Sequence, residues 1–478
     1  MGKKRDVPTT FSALDRLQIV KSFADANIPI SDFIVDDFFR RLHNSNYAPL
    51  PTLFEDKECK DMVPKRFKKH MVDKFSTLTS KVVFSQTSTN GTTTKLLVEL
   101  FDGHRVESVI MRHEKLGGDQ VGRTTLCVSS QVGCQMGCTF CATGTMGIIG
   151  DLSAGEILEQ LVHANAVLET PVRNVVFMGM GEPLNNYANV KEAVKGMVDT
   201  KRFGLGHGHV TVSTVGITPI IRKLSAEMPY VNLALSLHAP NQELRTQIVP
   251  AAKAYKIEGL IDALDNHMKG GSGEEQDDRE VKGKKKKKAR KAMIQYTMLN
   301  GPTATFECAH QLGKLCEGRN IIVNLIPYNQ TDVKDKYSCP PLEHIEEFQR
   351  IVMSYGLFVF IRKTMGEDIA GACGQLVLQK DIKEGGAVGD IEETLNARSG
   401  SSSGGRGGKK QLSGADGASN GNQADPRRDD DNNNNNNNAE GYEGMQYSRA
   451  FIGAGAALGL VALGLCVLIG RRRAFQRV

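Results

Sequence analysis

The run Cys134-Gln135-Met136-Gly137-Cys138-Thr139-Phe140-Cys141 sets three thiols in eight residues, spaced three and then two apart. A loop this short can wrap one metal centre and little else. A cubane iron–sulfur cluster normally takes four cysteine ligands, and here the chain supplies three. An iron without a protein ligand can hold the amino and carboxylate groups of S-adenosylmethionine, so that an electron from the cluster breaks the sulfonium bond and yields an adenosyl radical. The spacing therefore predicts a [4Fe-4S] cluster on Cys134, Cys138 and Cys141, and a radical enzyme. A structural zinc site would want four Cys or His ligands, and no His lies within a few residues. Disulfide pairing fits worse, because ten cysteines are scattered over 478 residues without a secretory signal.

The segments around the triplet set the fold class. Thr124-Thr125-Leu126-Cys127-Val128 reads as a buried strand, and the cysteines follow in a glycine-containing loop, which puts the cluster at a strand's C-terminal end. Enzymes built on α/β barrels carry their chemistry there. From Val121 to about Lys363 strand and helix patterns alternate as in a parallel α/β barrel. Ser153-Ala154-Gly155-Glu156 is a capping box that opens a helix over Ile157 to Leu168. Asn174 to Met178 is a strand leading into Gly179-Met180-Gly181-Glu182-Pro183, where glycines admit close backbone approach to a ligand and the Glu182 carboxylate can accept from an ammonium group. Val210 to Thr214, Asn232 to His238 and Asn320 to Pro327 are further strands.

Three residues have two readings each on residue type alone. Glu107, between apolar neighbours in Arg105-Val106-Glu107-Ser108-Val109-Ile110, reads as the outward residue of an edge strand. Ser213 could simply cap the next helix. Cys127 could be a small buried hydrophobe.

Four motifs in order resolve these choices. Arg123 to Cys134, Met178-Gly179-Met180-Gly181-Glu182-Pro183-Leu184, Leu235-Ser236-Leu237-His238-Ala239-Pro240-Asn241 and Cys373-Gly374-Gln375-Leu376 resemble the RlmN type of radical SAM RNA methyltransferase, whose sister group is the Cfr resistance methyltransferases. The resemblance runs from about Val121 to about Leu378. It implies an α/β fold, a partial (β/α) radical SAM barrel. It implies that Gly181, Glu182, Ser213, Ser236, Leu237, His238 and Asn329 line S-adenosylmethionine. It implies that Cys373 accepts a methyl group, that Cys127 resolves the product through a transient disulfide with Cys373, and that Glu107 is the base. The implied reaction is methylation of adenine C2 in large-subunit ribosomal RNA, with transfer RNA as a second substrate class. Methylation at C8 by the Cfr route, or a membrane-tethered RNA-binding protein that has lost catalysis, are the rival readings. Reaching C2 requires the base to leave its stack.

The flanks add four expectations. Residues 1–78 read as a small helical N-terminal accessory domain, from apolar spacing such as Leu14, Leu17, Val20 and Phe33, Ile34, Phe38, Phe39, Leu42; Lys65, Arg66, Lys68 and Lys69 there either hold RNA or form a solvated face. Residues 79–119 read as a β-hairpin extension turning at Asn90-Gly91 and Asp102-Gly103. The barrel, 120–385, carries the Cys373 segment on Gly371-Ala372-Cys373-Gly374, read as a bare and mobile backbone, and is interrupted by a charged insertion, 269–291. The five lysines of that insertion, Lys284 to Lys288, fit RNA phosphates, a nuclear-import signal or a solvated loop.

Residues 386–448 read as a disordered linker, with seven consecutive asparagines from Asn432. Ala450 to Gly470 is continuously apolar and bounded by Arg449 and Arg471. Its 21 residues would span about 30 Å as a helix, the thickness of a bilayer core, which predicts a transmembrane tail anchor. The enzyme would then face the cytoplasmic side of a membrane, in a reducing compartment, as a monomer fed by a flavodoxin or ferredoxin system. The net charge of +6 is modest and says little about nucleic acid.

Overall fold

The computed structural model describes residues 5–376, apart from 7, 57–62, 116–117, 270–291, 332 and 334–336, with backbone alone at 114–115 and 118–121. The lysine-rich insertion from 270, the linker and the apolar segment 450–470 lie outside the described residues. Among the described residues no helix is long and apolar enough to cross a membrane.

A two-residue strand, β1 (Phe11–Ser12), precedes helices α1 (Arg16–Asp25), α2 (Asp32–Asn44), α3 (Leu50–Glu55) and α4 (Lys65–Lys74). Strand β2 (Phe75–Ser76) then returns to pair parallel with β1. Asp15 starts α1 by accepting from the Gln18 amide at 3.1 Å, which fixes the helix phase. The buried face consequently falls on Ile19 and Phe23, four residues apart, while Leu17 and Val20 are exposed. Phe33 is exposed too, and Val35, Phe38, Phe39 and Leu42 are the buried apolar residues of α2. The expected inward set was shifted at those three positions.

Strands β3 (Lys81–Thr87), β4 (Thr93–Glu99), β5 (Arg105–Lys115) and β6 (Gly118–Cys127) pair antiparallel in succession. The turns fall at Asn90-Gly91 and Asp102-Gly103, yet these hairpins are not a separate appendage: they continue the main sheet. Next come β7 (Gln131–Cys134), α5 (Ala142–Thr145), β8 (Gly147–Asp151), α6 (Ala154–Ala166), β9 (Asn174–Phe177), α7 (Tyr187–Val198), β10 (Val210–Thr214) and α8 (Thr218–Glu227). They are followed by β11 (Asn232–Ser236), α9 (Gln242–Ile248), α10 (Ile257–Lys269), β12 (Ala292–Met298), α11 (Phe306–Cys316), β13 (Ile321–Pro327), α12 (Leu342–Met353) and β14 (Phe358–Ile361). The capping box at Ser153 and Glu156 is formed in full.

Ten strands make one sheet in the order β14-β13-β12-β11-β10-β9-β6-β5-β4-β3, parallel from β6 to β14. This is the α/β alternation that the sequence predicts. Register divides its faces. Leu126, Val175, Val212, Leu233, Ile294 and Val323 are buried in one cluster with Ile157, Val190, Leu260 and Phe348 of the helices. The opposite face carries the row Ser236, Gln295, Asn324 and Phe360, directly paired strand to strand. Beyond β14 the chain crosses to the far side of the sheet: an Arg362 Nη2 donor lies 3.9 Å from Met111 Sδ on β5, and the Thr89 amide donates to Asp368 at 2.9 Å. The sheet therefore curves until its two flanks nearly meet.

Candidate active site

Strands β7 and β8 form an antiparallel ribbon, with Cys134 opposite Gly147, so the plain loop expected around the triplet begins as a ribbon. Gly133, at φ 80°, sits so close that a Cβ would lie 2.0 Å from the Gly147 carbonyl oxygen. Cys138 occupies the turn beyond, and Cys141 begins α5. Burial pushes Cys134 up to about 12 and raises Cys138 and Cys141, and Cys141 stands near enough to oppose ionisation of both Cys134 and Cys138. Only a cationic centre would let these thiols, two buried and Cys141 half-buried, ionise together. Among the described residues no three His, Cys, Asp or Glu side chains close on a single metal ion. A cubane, whose irons each take one thiolate, asks for the wider arrangement.

A second observation supports the same occupant. Arg245 on α9 is fully buried. Its Nε donates to the Leu237 carbonyl at 3.1 Å and its Nη2 to the carbonyls of Val215 and Ser236, while Nη1 has no partner among the described residues. Its one favourable charge contact among the described residues is Cys138. A buried cation held only by carbonyls is costly, and an anionic thiolate-bound cluster beside Cys138 would satisfy it.

The three cysteines open onto a cleft of about 910 Å³, mouth included, which also takes in Gly181, Glu182, Ser213, Ser236, His238, Asn329 and Cys373. Gly181 has φ 101°, and a Cβ there would meet Gln131 at 2.6 Å, so this glycine serves packing of the chain on itself rather than only approach to a ligand. Glu182 accepts from the Leu184 amide at 3.0 Å and the Val215 amide at 2.9 Å. Its carboxylate is thus pinned between two loops before any ammonium arrives. Burial raises it above the ordinary carboxylate range. Ser213 and Ser236 hydroxyls face each other at 3.2 Å. Ser213 does not cap the following helix, whose N-cap is Ile217 with no side-chain hydrogen bond.

His238 holds a left-handed backbone at φ 60°, and its Nδ1 accepts from the Thr297 amide at 3.2 Å, which places its proton on Nε2. Burial, then the Arg245 charge, lowers it to about 3, so it stays neutral. Leu237 does not line the cleft; it is fully buried in the core, with its carbonyl taken by Arg245.

Cys373 is half-buried, on a backbone that is tied rather than bare: Asn329 Nδ2 donates to its carbonyl at 3.1 Å, and the Ala142 amide to that of Gly374 at 2.9 Å. Asn329 therefore positions Cys373 as well as lining the cleft. Cys127 ends β6, where burial, then the charge of Cys373, pushes it up to about 12. Glu107 lies on inner strand β5, not an edge, 2% exposed, with Lys95 Nζ 3.3 Å from its Oε1. Pairing of Val109 with Cys127 and with Lys95, and of Glu107 with Leu97, puts Glu107, Lys95 and Cys127 on one face. Neither Glu107 nor Cys127 lines the cleft itself.

Sequence reasoning missed Gln295, whose Oε1 lies 3.4 Å from the Ser213 hydroxyl, as well as Arg245 and Arg362. The signal for Gln295 was present, a polar side chain alternating with Thr297 in an otherwise apolar strand. Arg362 was visible only as a charge after a strand.

The radical SAM superfamily profile matches residues 128–273. A ribosomal RNA large subunit methyltransferase N of Nitrosopumilus maritimus is 39% identical over 320 residues, 66% of this chain and 85% of that one. The chain belongs to the RlmN family. A probable dual-specificity RNA methyltransferase RlmN of Caldicellulosiruptor saccharolyticus is 34% identical over 73% of this chain and 96% of its own. A crystal structure of a radical SAM methyltransferase from Sphaerobacter thermophilus, 30% identical, superposes with a TM-score of 0.65 over 77% of this chain and 99% of the other. Like other RlmN proteins, this radical SAM RNA methyltransferase uses a [4Fe-4S] cluster and S-adenosylmethionine.

Proposed function

We propose that the protein methylates C2 of adenine in large-subunit ribosomal RNA and in transfer RNA, through a methyl group carried on Cys373. The observation that carries this reading is the position of Cys373. It lines the cleft of Cys134, Cys138 and Cys141 and also lies near Cys127. One thiol can thereby be loaded at the cofactor side and resolved from the strand side. The names of the relatives, dual-specificity RNA methyltransferases, support the substrate class.

The cluster and S-adenosylmethionine, when bound, supply a methyl group and an adenosyl radical. Cys134, Cys138 and Cys141 hold the cluster; Glu182, Ser213, Ser236, His238 and Asn329 hold S-adenosylmethionine. Cys373 takes the methyl on sulfur because an adenine ring carbon is too electrophilic to attack a sulfonium directly. Glu107 accepts the ring proton, from a dry wall where Lys95 balances its charge. Cys127 then attacks the Cys373 sulfur: the disulfide forms as the bond from that sulfur to the new carbon breaks, the carbon takes a proton to complete the methyl group, and the methylated base leaves, with an external dithiol reducing the disulfide for the next cycle. The test is peptide mass mapping after incubation with S-adenosylmethionine: the added methyl belongs on the peptide of Cys373, and a methyl placed elsewhere sinks the scheme.

Residues 1–78 hold the RNA in this reading. Lys65, Arg66 and Lys69 of α4 are exposed for that purpose. The apolar run 450–470 tethers the enzyme to a membrane, with catalysis on the cytoplasmic side and electrons from a flavodoxin or ferredoxin. Loss of membrane co-fractionation on deletion of 450–478 tests the tether, and unchanged fractionation would remove it.

A further inference from the structure

Phe358 and Phe360 stand 61% and 47% exposed on β14, an edge strand. Their rings pack edge to face, centroids 4.6 Å apart at 71°. Exposed aromatic rings on a free strand edge invite aggregation unless something covers them. Register says where they face. Phe360 pairs with Asn324, Asn324 with Gln295, and Gln295 with Ser236; the last two line the cleft. The rings therefore look into the concave side of the sheet.

Arg362, two residues on, carries this stripe toward the reaction centre. It lines a small cavity with Met111 and Cys373, and that cavity shares Cys373 and Asn329 with the main cleft. On the facing flank, Met111 and His113 of β5 pair with Thr125 and Arg123 of β6, which sets Arg123 on the face of Cys127. Arg123 and Arg362 both act on His113, so two guanidinium groups approach from opposite flanks. Arg123 and Lys363 are exposed. Of the acidic groups nearby, Glu107 is paired with Lys95, and Asp368 accepts from both the amide and the hydroxyl of Thr89.

We infer that this opening between β14 and β5 is a groove for single-stranded RNA, in which nucleotides beside the modified adenine stack on Phe358 and Phe360 while Arg123 and Arg362 meet their phosphates. The inference rests on the RNA reading of the site. Aromatic faces interleaved with cations are how sequence-tolerant grooves hold single strands. Unpaired RNA offers the splayed bases that such faces take. A protein partner would ask for several hundred Å² of complementary surface per side, whereas two rings edged by guanidinium groups suit a strand of a few nucleotides.

The test is binding of a hairpin RNA with a single-stranded, adenine-containing loop to reconstituted full-length protein, followed by fluorescence anisotropy across a salt series. Phe358→Ser/Phe360→Ser should weaken binding about tenfold or more, leave iron content unchanged, and be matched by a Phe358→Tyr/Phe360→Tyr control that retains affinity. Arg123→Gln should lower the salt slope by about one. Unchanged affinity in the serine variant, with normal iron content, overturns the groove and assigns the rings to a protein contact or to another part of this chain. If the unaltered protein neither binds nor methylates RNA, the RNA reading fails instead. Loss of affinity in the tyrosine variant as well, with iron content normal, overturns the stacking role, since tyrosine keeps the aromatic face.

Discussion

Lys95 Nζ lies 3.3 Å from Glu107 Oε1, with both side chains almost wholly out of solvent, on the face of the sheet that carries Cys127. A buried pair of this kind is weak evidence for stability but expensive to break from one side. Lys95→Met removes the buried cation that balances the Glu107 carboxylate and should cost about 3–5 kcal/mol in denaturant melts. Lys95→Met/Glu107→Leu should recover most of that loss. Glu107→Gln keeps the shape, and its RNA methylation should fall roughly 10²–10⁴-fold, as for loss of a general base. Normal turnover in Glu107→Gln would remove it from the reaction.

The two remaining thiols divide the work. Cys373→Ala should abolish RNA methylation while leaving iron content intact. Cys127→Ala should stop after carbon transfer, so that RNA stays attached to Cys373 and migrates with protein on denaturing gels. Free methylated RNA from Cys127→Ala would break the disulfide step.

Burial holds the Cys127 thiol protonated, from an ordinary 9.0 up to about 12. The sign follows from linkage: the neutral thiol's contribution to stability is complete below about pH 9 and is lost as pH rises toward 12. Cys127→Ala should therefore show a shallower alkaline fall in stability than the unaltered protein across that window. Parallel curves in denaturant melts at stepped pH would contradict this.

Arg245 places a buried cation beside Cys138 with no carboxylate partner among the described residues. Such a charge favours the more negative, reduced state of a cluster. Arg245→Met should make reduction at least tenfold less favourable, about 59 mV more negative for a one-electron couple, in a titration followed by electron paramagnetic resonance. The cluster-free variant should be no less stable than the cluster-free parent, since an uncompensated charge has gone. An unshifted potential would leave Arg245 as a strut for Leu237 and Val215.

What was legible in the chain was local. The cysteine spacing, the capping box at Ser153, the turns at Asn90 and Asp102 and the strand before Cys134 all depend on neighbours in sequence. Glu107 shows the limit: its pattern fits an edge strand, and only the pairing of β5 between β4 and β6 buries it. Leu17 and Val20 were misplaced because the Asp15 cap, not the apolar spacing, sets the phase of α1. Gln295, Arg245 and Arg362 gain meaning only once strands far apart in sequence meet. The backbone of Cys373 looked bare for the same reason, since Asn329 and Ala142 reach it from other elements.

The central claim is the position of the new carbon. Anaerobically reconstituted protein lacking 450–478, given reductant, S-adenosylmethionine labelled in its methyl group, and ribosomal and transfer RNA fragments, would be read by nucleoside mass spectrometry. Label in 2-methyladenosine is the predicted result. Label in 8-methyladenosine, or cleavage of S-adenosylmethionine with no label in either RNA, would contradict it.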